Sequence, residues 1–137
     1  MIPNILVVDD DPIIHQLYRH HLERQGYRMI SASTGEEAID ISTRECPLLV
    51  VIDIGLPGLN GLSALLEMRR AQGDKTIPAI VITSAANYDL CQQQVNHLAA
   101  TSFLSKPFGP GQLLTAIKQL VDMANEPQQK AASSVAP

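Results

Sequence analysis

The chain has 137 residues, which suits one domain with a core two or three layers deep. Its 45% hydrophobic and 18% charged content, with no Trp, describes an ordinary soluble globular protein. A formal net charge of −4 gives no bulk attraction for nucleic acid or an anionic membrane, and no apolar run approaches the roughly 20 residues of a membrane span.

The N-terminus "MIPNILVVDDDP" lacks a basic region and a cleavage pattern, so no signal peptide is expected; Met1, close before the first strand, reads as a natural N-terminus. Cys46 and Cys91 lack metal or redox spacing and read as reduced, partly buried thiols of a cytoplasmic protein.

"NILVV" (Asn4 to Val8) is a buried strand of aliphatic residues. Pro12 opens a helix, whose apolar stripe is Ile14, Leu17, Tyr18 and Leu22 and which ends at Gly26. "RMISA" is a second strand, and "TGEE" puts Thr34 and Glu37 at capping-box spacing before a helix carrying Ala38 and Ile41. "PLLVVID" is the third strand. After "GLPGLNG" comes a helix with Leu62, Leu65, Leu66 and Arg69. "IPAIVITS" is the fourth strand, followed by a fourth, Gln-rich helix with Leu90, Cys91, Val95 and Leu98. "SFLS" is a short fifth strand, "KPFGPG" a turn, and Leu113, Leu114, Ile117, Leu120 and Val121 line the last helix. Residues 1–124 form the domain; the tail 125–137, without aromatic or periodic residues, reads as disordered or as the start of a linker.

Five strands alternating with five helices predict a parallel sheet covered on both faces. With right-handed crossovers, the expected architecture is a doubly wound α/β, flavodoxin-like sheet of order 2-1-3-4-5. In that order ligands bind at the carboxyl ends of strands 1 and 3. Strand 1 ends at Asp9, Asp10 and Asp11, and strand 3 ends at Asp53. Two carboxylates about 4 Å apart repel by roughly 4 kcal/mol at an effective dielectric near 20, which a divalent cation would relieve. An oxygen-only site beside solvent suits Mg²⁺, which keeps several waters and takes one or two carboxylates. Strand 4 adds Thr83 and strand 5 adds Lys106. Carboxylate, metal, hydroxyl and ammonium are the parts for phosphoryl transfer to an aspartate. Asp53 is the best nucleophile, alone at a strand end before an exposing turn.

Those residues resemble the receiver domains of two-component response regulators, from about Ile5 to Val121. "ILVVDDDP" resembles the family's acidic pair, "DIGLPGLNG" its phosphoacceptor loop, "VITS" its switch hydroxyl and "FLSKPF" its lysine and aromatic switch position. The resemblance implies that Asp53 accepts phosphoryl from a phosphohistidine on a histidine kinase or phosphotransfer protein. It implies direct Mg²⁺ binding by Asp10 and Asp53, water-mediated binding by Asp9, and a contribution from the Gly55 backbone carbonyl. Thr83 and Phe103 would switch a target-binding face made of the fourth helix, fifth strand and last helix, and the Lys106–Pro107 bond would be cis. Such a protein is not an enzyme beyond its own phosphorylation and dephosphorylation. Gly55 and Ala85 are small where the family tunes hydrolysis, "LAATSF" lacks the acidic residues of the salt-bridged dimers many DNA-binding regulators form, and His21 stands where an aliphatic residue is usual.

Bland alternatives exist for each residue: Asp11 as a helix cap, Thr83 as strand packing, Phe103 as core, Gln92 to Gln94 as a solvated helix face. His15, His20, His21 and His97 lack ligand geometry, because the adjacent His20 and His21 point to different helix faces. Three functional alternatives remain. A Mg²⁺-dependent aspartyl-phosphate hydrolase of the haloacid-dehalogenase kind needs a DxD motif on Asp9 and Asp11 and a substrate cap, and Pro12 and the chain length oppose it. A pseudo-receiver without the chemistry conflicts with Asp9, Asp10, Asp53, Thr83 and Lys106 all being present. The chain is a stand-alone receiver or a fragment of a longer regulator or hybrid kinase.

Overall fold

The computed structural model describes residues 4–55, 60–71, 73, 76–84, 93, 99–106 and 108–125, the side chains of 123–125 excepted. The aliphatic runs become β1 (Asn4–Val8), β2 (Arg28–Ala32), β3 (Leu49–Asp53), β4 (Ala79–Ser84) and β5 (Thr101–Lys106). Every neighbouring pair is parallel, and the order is β2-β1-β3-β4-β5, as the pattern predicts. β5 is longer than "SFLS" because it pairs with β4 from Thr101 to Lys106.

The strands alternate between two cores. Leu6, Val8, Val50, Ile52, Ala79 and Val81 pack with Ala38, Ile41, Ala64, Leu65 and Met68, on the side covered by α2 (Gly35–Glu45) and α3 (Gly61–Ala71). Ile5, Val7, Leu49, Val51, Ile80 and Ile82 pack with Tyr18, Leu22, Leu113 and Ile117, on the side of α1 (Pro12–Arg24) and the next described helix, α4 (Pro110–Asn125). Period-two alternation with both faces apolar is what a sheet buried between helix layers requires.

The helix ends follow their local chemistry. Asp11 caps α1, its carboxylate accepting from the Ile13 amide at 2.9 Å, with Pro12 in the first turn. Gly26, at φ 89°, takes the left-handed turn after α1. Thr34 caps α2 through the Glu37 amide at 3.1 Å, while the Glu37 carboxylate accepts from the Ser33 amide at 2.6 Å rather than from the cap itself.

Three expectations change. Leu17 is 47% exposed, because it shares a face with Ile13 rather than with Tyr18 and Leu22. Leu66 is 41% exposed, and Met68, in register with Ala64 and Leu65, fills the core in its place. Cys46 is exposed, since it ends α2 in the left-handed conformation at φ 47°. The Gln-rich helix with Cys91, apart from the helical and exposed Gln93, lies outside the described residues, together with Ala85, Pro107 and the tail beyond Asn125.

Candidate functional site at the carboxyl ends of the strands

The loop after β1 is held from three directions. The Asp9 amide still joins the sheet through the Ala32 carbonyl at 3.1 Å. The Asp9 carboxylate accepts from the Asp11 amide at 2.9 Å, an Asx turn that folds the acidic run onto itself. The Asp9 carbonyl meets Nε2 of His15 at 2.6 Å. Asp9 is therefore buried, at 3% exposure, while Asp10 is exposed.

Asp53 ends β3, and its two oxygens have separate partners. The Gly55 amide donates to Oδ1 at 2.8 Å, and the Lys106 ammonium donates to Oδ2 at 2.7 Å across 53 positions of sequence. The side chain of Asp53 is 13% exposed and that of Lys106 48%, so the ammonium lies on the solvent side of the pair. Small residues shape this loop. A Cβ at Gly55 would stand 3.5 Å from Asp53 Oδ1, so any side chain there overhangs the carboxylate. A Cβ at Gly61 would collide with the Asp53 carbonyl and sit 2.9 Å from Ile54 Cα. Gly61 thus lets α3 start directly against the backbone that carries Asp53.

Thr83, at 1% exposure, is the last buried residue of β4, and among the described residues its hydroxyl has only a long contact of 3.4 Å to the Ser84 carbonyl. β4 and β5 align Val81 with Phe103 and Thr83 with Ser105, so Thr83 and Phe103 share a face, one pair apart. Phe103 packs against the α2–α3 core and Leu104 against the α1–α4 core, which puts Lys106 on the face opposite Phe103.

The charges act on one another. Burial pushes the Asp9 carboxyl up; the Asp53 and Asp10 charges push the same way, against the Asp11 amide and Lys106. The hydrogen bond to Asp53 pushes the Lys106 ammonium up, aided by the charges of Asp53, Asp9 and Asp10 against burial. The Tyr18 phenol, buried on α1 and in the field of Asp9 and Asp53, is pushed up to about 12.

Among the described residues no group of three or more His, Cys, Asp or Glu side chains is gathered closely enough to hold a metal. The donor set nevertheless fits Mg²⁺. It is all oxygen and strongly acidic, with Asp10 exposed beside it, and Mg²⁺ needs only one or two carboxylates because it retains waters. A soft metal finds no ligands of its kind here.

Asp9, Asp10, Asp53, Gly55, Thr83 and Lys106 thus all lie at the carboxyl ends of the strands, Phe103 one layer behind. The sequence reading missed His15 and the close approach of Gly61. A glycine eight residues after the aspartate was the available signal for Gly61; nothing in the sequence marks the His15 contact.

A doubly wound parallel sheet with a lysine-paired aspartate at the carboxyl end of its third strand defines a class of phosphate-accepting signalling domain. The family model described as response regulator receiver domain matches residues 5–118, and this chain belongs to that family, part of two-component signal transduction. It is 34% identical over 117 residues to the alkaline phosphatase synthesis transcriptional regulatory protein PhoP of Bacillus subtilis, covering 85% of this chain and 48% of the relative. It is 32% identical over 119 residues to sporulation initiation phosphotransferase F of the same organism, covering 87% of this chain and 94% of that relative. A receiver domain protein of Methanospirillum hungatei superposes with a TM-score of 0.81 at 28% identity, covering 92% and 98% of the two chains. The chain spans about half the length of PhoP and of several other curated relatives it matches.

Proposed function

We propose that Asp53 is the phosphoacceptor and that the phosphoryl group comes from a phosphohistidine on a histidine kinase or phosphotransfer protein. An Asp53 oxygen forms the new P–O bond as the P–N bond breaks, and the imidazole keeps the bonding pair. Lys106 neutralises phosphoryl oxygens, and the Thr83 hydroxyl donates to one of them. Asp10, Asp53 and the Gly55 carbonyl, with Asp9 through water, would hold Mg²⁺, which would supply the remaining positive charge. The observation that carries the reading is the 2.7 Å contact of Lys106 with Asp53, which joins two segments whose common purpose is otherwise obscure.

The phosphodonor docks beside the crevice, over the start of α1, where Ile13 is 71% exposed. Phosphorylation is relayed through Thr83 and Phe103 to a target-binding face of the Gln-rich fourth helix, β5 and the last helix, α4. Residues 1–124 act as the receiver and 125–137 as a tail or linker. Because several relatives are about twice as long, a receiver working within a longer regulator is the second reading. Among the described residues no helix is long and apolar enough to cross a membrane.

Acetyl phosphate or phosphoramidate with Mg²⁺ should add one phosphoryl group, on Asp53, acid-stable and hydroxylamine-labile. An adduct that persists at the wild-type level in Asp53→Ala would sink this reading. Turnover of small phosphate esters would favour the hydrolase instead.

A further inference from the structure

His15 stands in the first turn of α1 and reaches back to the end of β1, where its Nε2 lies 2.6 Å from the Asp9 carbonyl oxygen. A carbonyl only accepts, so the ring carries its hydrogen on Nε2. The contact meets a real need. β1 ends at Val8, the Asp9 amide makes the last bond to β2, and the carbonyl that follows has left the ladder. With Asp9 at 3% exposure, water is a poor substitute donor.

The more informative neighbour is Asp10. Its carboxylate makes no hydrogen bond among the described residues, whereas Asp9 and Asp11 are each pinned by an amide two residues on. The direction of the Asp10 side chain is therefore set by its backbone. The peptide between Asp9 and Asp10 is a plane, in which the Asp10 N–H points opposite to the Asp9 carbonyl. Fixing that carbonyl holds the plane as far as Cα of Asp10, and the Asp11 amide, held by the Asp9 carboxylate at 2.9 Å, holds the plane that follows, so the two together set the direction in which Cβ of Asp10 leaves the chain. α1 is anchored through Tyr18 and Leu22 in the core, so the imidazole ties the loop to a rigid element.

We propose that His15 is a positioning residue for the metal-binding carboxylates: it clamps the Asp9–Asp10 peptide to α1 and so holds Asp10 in the direction that receives Mg²⁺. The proposal rests on the reading of Asp9 and Asp10 as metal-binding groups. It assigns His15 no proton transfer and no direct contact with metal or phosphate. Groups behind a ligand that fix its orientation commonly tune metal affinity by one to two orders of magnitude.

Two full-chain variants test it. His15→Leu keeps bulk and helix propensity but has no donor; His15→Gln places an amide N–H at about the same reach. Mg²⁺ dissociation constants are measured at a temperature where circular dichroism shows each variant folded, and the ¹⁵N–¹H shift of the Asp10 amide is recorded before Mg²⁺ is added. His15→Leu should bind Mg²⁺ about tenfold more weakly and move the Asp10 amide, and His15→Gln should recover most of both. A carbonyl cap serving stability alone would lower the melting temperature of His15→Leu and leave the Mg²⁺ affinity of the folded protein within about twofold of wild type, which overturns the proposal. Failure of His15→Gln to recover the affinity overturns it too. A wild type that itself ignores Mg²⁺ overturns the metal reading beneath it, so the wild-type titration tells the two failures apart.

Discussion

At the amino ends of β4 and β5, Arg69 meets its acceptors among the described residues in full. Its guanidinium donates to the Ile77 carbonyl from Nε at 3.1 Å and from Nη2 at 2.8 Å, and Nη2 also meets Thr101 Oγ1 at 3.0 Å and the Ala100 carbonyl at 3.4 Å. At the carboxyl ends of the same sheet, three aspartates face one lysine, Asp10 makes no hydrogen bond among the described residues, and the Thr83 hydroxyl has only a long one. Among the described residues one end is complete and the other is short of positive charge and donors. A sheet held at one end and unfinished at the other can transmit what binds at the unfinished end.

The largest effect should come from the closed end. Burial lowers the pKa of Arg69, and among the described residues no carboxylate pairs with it, so its charge is balanced by carbonyl dipoles. Arg69→Met keeps the stem and strands the acceptors, and should cost about 2 kcal/mol in denaturant unfolding. Arg69→Lys should recover little, since an ammonium cannot reproduce the planar fork. Mg²⁺ affinity should stay within about twofold of wild type in both, because sites that share no partners are nearly independent. A parallel loss of Mg²⁺ binding would show that the two ends are not separable.

The contrast between the ends was unequally legible in sequence. Aliphatic runs broken by Asp, Ser and Lys announced the strands and their polar ends, and parallel order then brought Asp9, Asp53, Thr83 and Lys106 together. Arg69 was visible only as a residue on a helix with Leu62 and Leu65; its acceptors are backbone carbonyls, which carry no side-chain signature. Leu17 and Leu66 misled because periodicity counts residue type, while burial depends on the neighbouring helix. His15 matters through its reach to the Asp9 backbone, which no residue type marks, whereas Gly61 was signalled only by its spacing from Asp53.

At the open end, the exposed start of α1 gives the next test. Ile13→Glu should slow transfer from a phosphohistidine donor by roughly tenfold, as loss of an apolar contact at a protein interface does. It should spare labelling by acetyl phosphate. Equal loss in both assays would mean damage to the crevice itself rather than to docking.

Asp9→Asn probes the excess of negative charge. The Asp9 carboxyl is raised in the folded state, first by burial and then by Asp53, so the folded protein holds this proton to higher pH than the unfolded chain does. Wild-type stability from this group is therefore lost as pH rises from 3.8 through the higher folded value. Asn keeps an oxygen for the Asp11 amide and removes the charge. Without Mg²⁺, Asp9→Asn should melt above wild type at neutral pH, and the gap should close below the unfolded carboxyl value. With millimolar Mg²⁺ the order should narrow or reverse, since metal bound to the proposed site would stabilise the wild type by mass action. A gap independent of pH would show that repulsion is not its source.

The smallest change is a single oxygen. Thr83→Val keeps the shape of a side chain at 1% exposure and removes a hydroxyl whose one hydrogen bond among the described residues is 3.4 Å long, so stability should move by less than about 1 kcal/mol. A phosphoryl group on Asp53 brings acceptor oxygens to the crevice, and Thr83 has a hydroxyl to offer them. Its inward turn would vacate space on the face it shares with Phe103, the large side chain one pair behind it on β5. Lys106, on the opposite face and already bonded to Asp53, can hold phosphate without joining that motion. Phe103 carries no hydroxyl to satisfy, so its two positions need differ little in energy. Thr83→Val should therefore still take phosphoryl on Asp53 yet lose the phosphorylation-dependent amide shifts of Phe103, Leu104 and Lys118. Undiminished shifts would show that the open end signals through some other group, with Lys106, already bonded to Asp53 and anchored on β5, the next to test.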